Sequence, residues 1–223
     1  MRELAGRAFR ELKIAASPIL RIHLSDIEGI SSVQVESRLE PGAVVALIAK
    51  LIGAREVFEF GTYKGATTML IAQNCPECRI VTIDLPEGTS YETARATARV
   101  EMTDAYLFDT GARGQFISGE AANRITQIRQ DSGAFDEGPY LGRFDLVYVD
   151  ASHSYSAVKS DTQKALRMLR PGGIIMWDDY DYPGVWQYLN ELARERPHFE
   201  LRYVSDWGKV ILLGDRVRLR PIT

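Results

Sequence analysis

Apolar positions in this chain follow two different spacings, and the switches between them mark its elements. Leu4, Ala5, Ala8, Phe9 and Leu12 recur at helical spacing with charges between them, which predicts an N-terminal helix interrupted at Pro18. A second helix is expected from Pro41, a residue suited to a first helical turn, to Leu51, with Gly53 ending it. Short apolar runs then alternate with helical stretches. Strands are expected at Glu56–Phe60, Arg79–Ile83, Gln115–Ser118, Phe144–Val149 and Ile174–Trp177. Helices are expected near Ala66–Gln73, within 85–113, at Ala121–Gln130, at Tyr155–Leu169 and at Val185–Arg194. Phe199–Val204 and Lys209–Leu213, joined by Ser-Asp-Trp-Gly, read as an antiparallel hairpin.

Strands that alternate with helices and are apolar on both faces imply a parallel sheet with right-handed crossovers. Such sheets bind ligands beyond the carboxyl ends of their strands. Glu59, Gly61, Asp84, Asp150, Asp178 and Asp179 all fall at or just past strand ends, so they are expected on one rim. Composition narrows the reading. A net charge of −3 argues against nucleic acid as a partner. The longest apolar run, Ala43 to Ala49, is far shorter than the ~20 residues of a membrane span. Frequent N-terminal charges disfavour a signal peptide, and two cysteines fit a reducing cytoplasm. The expected organisation is a helical extension over 1–40 and one domain over 41–223.

The turn Phe58-Glu-Phe-Gly-Thr-Tyr-Lys-Gly65 places Gly61, Thr62, Tyr63 and Gly65 between a strand and a helix N-terminus, where free N–H groups point outward. Its spacing differs from the G-x-G-x-x-G that cradles a pyrophosphate, which disfavours NAD. S-adenosylmethionine (SAM), which carries an ammonium and a sulfonium but no phosphate, suits the turn and the neighbouring Glu59 better. Asp84 is placed to accept the two hydroxyls of an adenosine ribose, a role common to both cofactors. Gly119 and Glu120 follow the expected third strand, where an adenine would lie; an ordinary loop is the alternative there. At the other end of the rim, Asp150, Asp178 and Asp179 repel one another unless a cation joins them, and an all-oxygen set suits Mg²⁺ or Mn²⁺. Asp178 or Asp179 could instead cap the following segment. His153, three residues past Asp150, is a candidate general base, with metal ligation or plain packing as alternatives. The pair Cys75 and Cys78 has no second pair to complete a zinc site.

Together Phe58–Gly65, Val81-Thr-Ile-Asp84, Asp145–His153 and Leu169–Asp179 resemble the class I SAM-dependent methyltransferases. Within them the chain is most similar to the metal-dependent O-methyltransferases, including the natural-product family that methylates sugar hydroxyls. The resemblance implies an α/β, Rossmann-like, seven-stranded and mostly parallel sheet of order 3-2-1-4-5-7-6, with strand seven antiparallel and helices on both faces. It implies SAM binding at Glu59, Gly61, Tyr63, Gly65 and Asp84, and metal ligation by Asp150, Asp178 and Asp179. His153 falls where catechol-type members carry a lysine and sugar-type members a histidine, a departure that disfavours a phenolic acceptor. The expected partner is a small-molecule hydroxyl acceptor. In such enzymes the region matching residues 1–40 builds the acceptor pocket or a dimer contact, and in the second case a homo-oligomer is expected. An NAD-linked oxidoreductase and a non-catalytic SAM-binding subunit are the competing readings.

Overall fold

A strand that is apolar on both sides needs a partner layer on each. A computed structural model describes residues 10–12, 41–97, 100–108, 112–204 and 209–213. In chain order its strands are β1 (Arg10–Leu12), β2 (Glu56–Phe60), β3 (Arg79–Asp84), β4 (Ile125–Arg129), β5 (Phe144–Val149), β6 (Leu169–Trp177), β7 (Glu200–Val204) and β8 (Lys209–Leu213). Its α-helices are α1 (Pro41–Leu51), α2 (Ala66–Asn74), α3 (Tyr91–Thr97), α4 (Tyr155–Met168) and α5 (Pro183–Glu195). Successive strand residues point to opposite faces. Val57, Ile80, Leu146, Tyr148, Ile174 and Met176 therefore pack with α1 and α2. Phe58, Val81, Val147, Ile175 and Trp177 pack with α4 and α5 on the other side. Ala43 to Ala49 are buried on every face of α1, as a helix apolar all round requires.

Strands β4, β3, β2, β5 and β6 are parallel neighbours in that order, which is 3-2-1-4-5 when counted from β2. Beyond β6 the sheet reverses: β8 runs antiparallel to β6, and β7 antiparallel to β8. β1 pairs parallel to β7 and brings the sheet to eight strands. Arg10–Leu12, expected in a helix, thus caps the open edge of β7, where unpaired backbone groups favour strand addition. The rest of the expected 1–40 extension lies outside the described residues.

One core element differs from expectation. Residues 115–118 form no strand, and the expected helix over 121–130 is a short 3-10 turn, Glu120–Arg124, followed by β4. Ala121, Ala122, Ile125 and Ile128 imitate helical spacing. β4 is an edge strand whose side chains are exposed or only partly buried, so it lacks the dense apolar run that marks the central strands.

Candidate active site

The β2–α2 turn is shaped by backbone that only certain residues tolerate. Gly61 has φ 95° and Gly65 φ 85°. A Cβ on Gly61 would overlap the Asp150 carbonyl, so this glycine lets the ends of β2 and β5 meet. Tyr63 is one of two non-glycine residues at positive φ (46°) among those described, and Asp179 is the other (52°). Both lie on the carboxyl rim, where strained backbone marks sites held for function.

Asp84, at the end of β3, holds the turn from the neighbouring strand. Its Oδ2 accepts the Tyr63 N–H at 2.6 Å, and its Oδ1 accepts the Leu85 N–H at 2.7 Å and Arg113 Nε at 2.8 Å. A cavity opens here, lined by Gly61, Tyr63, Asp84, Leu85, Ser132 and Asp150 among others. Thr62 and Glu59 are buried and do not line it. The Thr62 and Thr82 hydroxyls share a 2.6 Å hydrogen bond, and Glu59 Oε2 accepts from Thr68 and, at 2.7 Å, from Thr82. Burial pushes the Glu59 carboxyl up to about 7, against the two threonine hydrogen bonds that pull it down.

Gly119 and Glu120 do not reach this cavity. They precede β4, at its amino end, because the third parallel strand is 125–129 and not 115–118. The loop that does leave the carboxyl end of β4 carries Asp131 and Ser132, both cavity residues that the sequence pattern did not single out. α4 secures this loop from behind. Lys164 Nζ donates to the carbonyls of Ser132, Gly133 (3.1 Å) and Phe135 (2.8 Å), and Ser132 Oγ donates to Asp161 Oδ2 at 3.1 Å.

Asp150, Asp178 and Asp179 do converge: one carboxylate oxygen from each lies within 4.8 Å of the others. Asp150 follows β5, and the other two follow its parallel neighbour β6. Burial, followed by the nearby Asp178 charge, raises the Asp150 carboxyl well above its usual range. Three hard oxygen donors this close fit Mg²⁺ or Mn²⁺.

His153 sits against this cluster, buried, with both ring nitrogens engaged. Nδ1 pairs with Asp104, and Nε2 lies 2.8 Å from Asp179 Oδ2. Its ring stacks on Tyr182 at 4.0 Å between centroids. Burial works against its charged form, but the hydrogen bonds to Asp104 and Asp179 prevail and raise its pKa to about 10. Asp104, in a 3-10 turn (Met102–Phe108), gave no sequence signal, since it lies 49 residues from its partner. Burial opposes its charged form, while His153, Ser152 and the Glu101 N–H hold its carboxyl below the usual range. Tyr106, in the same turn, is pushed up to about 12, first by burial and then by Tyr182 and the acidic cluster.

Cys75 and Cys78 lie at the opposite end of the sheet. Burial raises their thiols to about 11 and about 12.

The chain has relatives among known proteins. The chain is 25 % identical over 159 residues to a Mycobacterium tuberculosis protein named "Probable O-methyltransferase", covering 70 % of this chain and 63 % of that one. It is 26 % identical over 168 residues to a catechol O-methyltransferase of the same organism, covering 74 % and 66 %. The chain thus spans less than two thirds of the length of these relatives. The crystal structure of the O-methyltransferase TomG of Streptomyces achromogenes, in complex with SAM, superposes with a TM-score of 0.51 at 22 % identity over 83 % of this chain and 82 % of that one. The model of a family described as "Methyltransferase domain" matches residues 58–180. That stretch is more than half of the chain and runs from the glycine turn past the paired aspartates, and so the chain belongs to the methyltransferase-domain family.

Proposed function

We propose that the protein moves a methyl group from SAM to a hydroxyl of a small molecule, a sugar or natural-product intermediate, with a divalent cation held by Asp150, Asp178 and Asp179. The observation that carries this reading is the convergence of those three carboxylates beside the cavity that Asp84 and Gly61 line. When bound, the two groups supply an electrophilic methyl and Lewis-acid activation of the acceptor.

The chain's own residues do the rest. Asp84 accepts the ribose hydroxyls in place of Arg113. Asp131 and Ser132 flank the adenine. Glu59 is the assigned partner of the cofactor's ammonium. His153 Nε2 would take the acceptor's proton; with Asp179 engaged by a bound cation, the histidine would lose one of its two carboxylate partners and hold a proton less tightly. Asp104 keeps the ring oriented and stabilises the imidazolium that forms. An aliphatic alcohol needs this help: at a pKa near that of water, ~15.7, ionising it at pH 7 costs about 12 kcal/mol.

The test is methyl transfer from SAM to a panel of sugar and polyketide hydroxyls, read by mass spectrometry, with SAM binding measured by calorimetry. Activity is expected to vanish in EDTA, return with Mg²⁺, and be lost in Asp178→Ala. His153→Gln should lower kcat by about 10²–10⁴ while leaving SAM affinity unchanged. Full turnover in EDTA overturns the metal assignment, and failure to bind SAM overturns the whole reading.

A further inference from the structure

Lys209 is a side chain of the acidic end that this mechanism leaves unused. It is fully buried, 0 % exposed, at the first position of β8. β8 runs against β6, so its beginning lies beside the end of β6, where Asp178 emerges. A strand parallel to β6 would bring its last residue there instead. The Lys209 ammonium lies 2.6 Å from Asp178 Oδ2 and 3.2 Å from the Tyr148 hydroxyl. Tyr148 donates its own hydrogen bond to the same Asp178 oxygen, and the lysine spans the Tyr148 ring. The other oxygen of Asp178 accepts the Asp179 N–H at 2.8 Å.

A buried ammonium paired with one member of a three-carboxylate cluster changes what ion the cluster takes. With all three ionised the aspartates carry three negative charges, and the fixed lysine cancels one. The remainder matches a divalent cation. Without the lysine the site matches a trivalent one.

We propose that Lys209 is the built-in counter-charge of the acidic cluster and sets its preference for divalent over trivalent cations; this rests on the metal reading above. The lysine is a positioning residue, fully buried and acting through Asp178. Its ammonium fixes Asp178 and repels the incoming ion, so affinity is traded for charge matching.

The test uses the full chain with no cofactor added. Binding of Mn²⁺ is followed by electron paramagnetic resonance and binding of Tb³⁺ by sensitised luminescence, at pH 8, in the wild type, Lys209→Met and Lys209→Gln. Gln keeps a donor for Asp178 and serves where Met fails to fold, which circular dichroism reports. Removing the lysine should tighten Mn²⁺ at least about tenfold, and Tb³⁺ by a larger factor, because the lost repulsion scales with ion charge. A merely structural lysine gives the opposite sign, since loosening Asp178 weakens both ions. Unchanged or weaker binding in a folded variant, or an equal gain for both ions, overturns the proposal. Absence of saturable Mn²⁺ binding in the wild type instead overturns the metal reading itself.

Discussion

Glu59 and Asp84 stand on neighbouring strands, and their surroundings assign them different work. Asp84 accepts three hydrogen bonds from N–H groups and lines the cavity, where a ribose can address it. Glu59 has only hydroxyls for partners and is buried, so its carboxyl holds a proton up to about pH 7. Two pH effects follow. In the free protein, a carboxyl raised from 4.5 to about 7 contributes stability below pH 4.5, and that contribution fades as pH rises through 7. If Glu59 receives the cofactor's ammonium, SAM binding needs its ionised form. Affinity should then strengthen as pH rises through 7 and release a proton, and Glu59→Gln should flatten that dependence. Calorimetry in buffers of different ionisation enthalpy measures both. A flat profile in the wild type would remove Glu59 from the binding set. The residues at this scale were unequally legible. Asp84, Asp150, Asp178 and Asp179 were readable because each ends an apolar run. Asp104 and Lys209 were not. Asp104 acts through a histidine far along the chain, and Lys209 has the same sequence setting as any charge that opens a hairpin strand.

Among the elements, α2 shows how a helix end is held by a distant side chain. It ends at Asn74, with its last carbonyls directed toward the turn that carries Cys75 and Cys78. Arg124, immediately before β4, donates to the carbonyls of Ala72 (2.8 Å), Cys75 (3.1 Å) and Cys78 (3.2 Å). A cation there satisfies acceptors that the helix leaves unpaired and opposes its negative end. Arg124→Met should cost about 1.5–3 kcal/mol in urea denaturation, the range for hydrogen bonds to a charged group, and leave the thiols as unreactive as before. A loss below about 0.5 kcal/mol would show the clasp to be ornamental. Arg124 also explains why β4 was misread. The strand is anchored by one polar side chain at its start and by backbone pairing with β3, and neither leaves an apolar pattern in the sequence. α1 was legible to the residue because Pro41 and Gly53 bracket the apolar run Ala43 to Ala49.

At the scale of the whole molecule, the alternation of strand and helix specified the parallel sheet and the rim where chemistry gathers. The loops crossing that rim carry no such periodicity, so their contacts emerge only in three dimensions. α4 ties them together. Its first residue follows Ser154, whose side chain caps the helix by accepting the Ala157 N–H at 3.2 Å, directly after His153. Two turns on, Asp161 and Lys164 grip the 131–135 loop. Lys164→Met should release that loop, raising the KM for SAM about tenfold while kcat stays within about twofold. An unchanged KM would show that the loop holds itself. One helix therefore starts just after His153, the proposed proton acceptor, and holds the 131–135 loop, the proposed adenine wall, midway along. On the proposed reading, filling the donor half would steady the His153 ring through α4 before an alcohol arrives. Turnover should consequently be sequential with SAM entering first, and product-inhibition patterns would betray a random order.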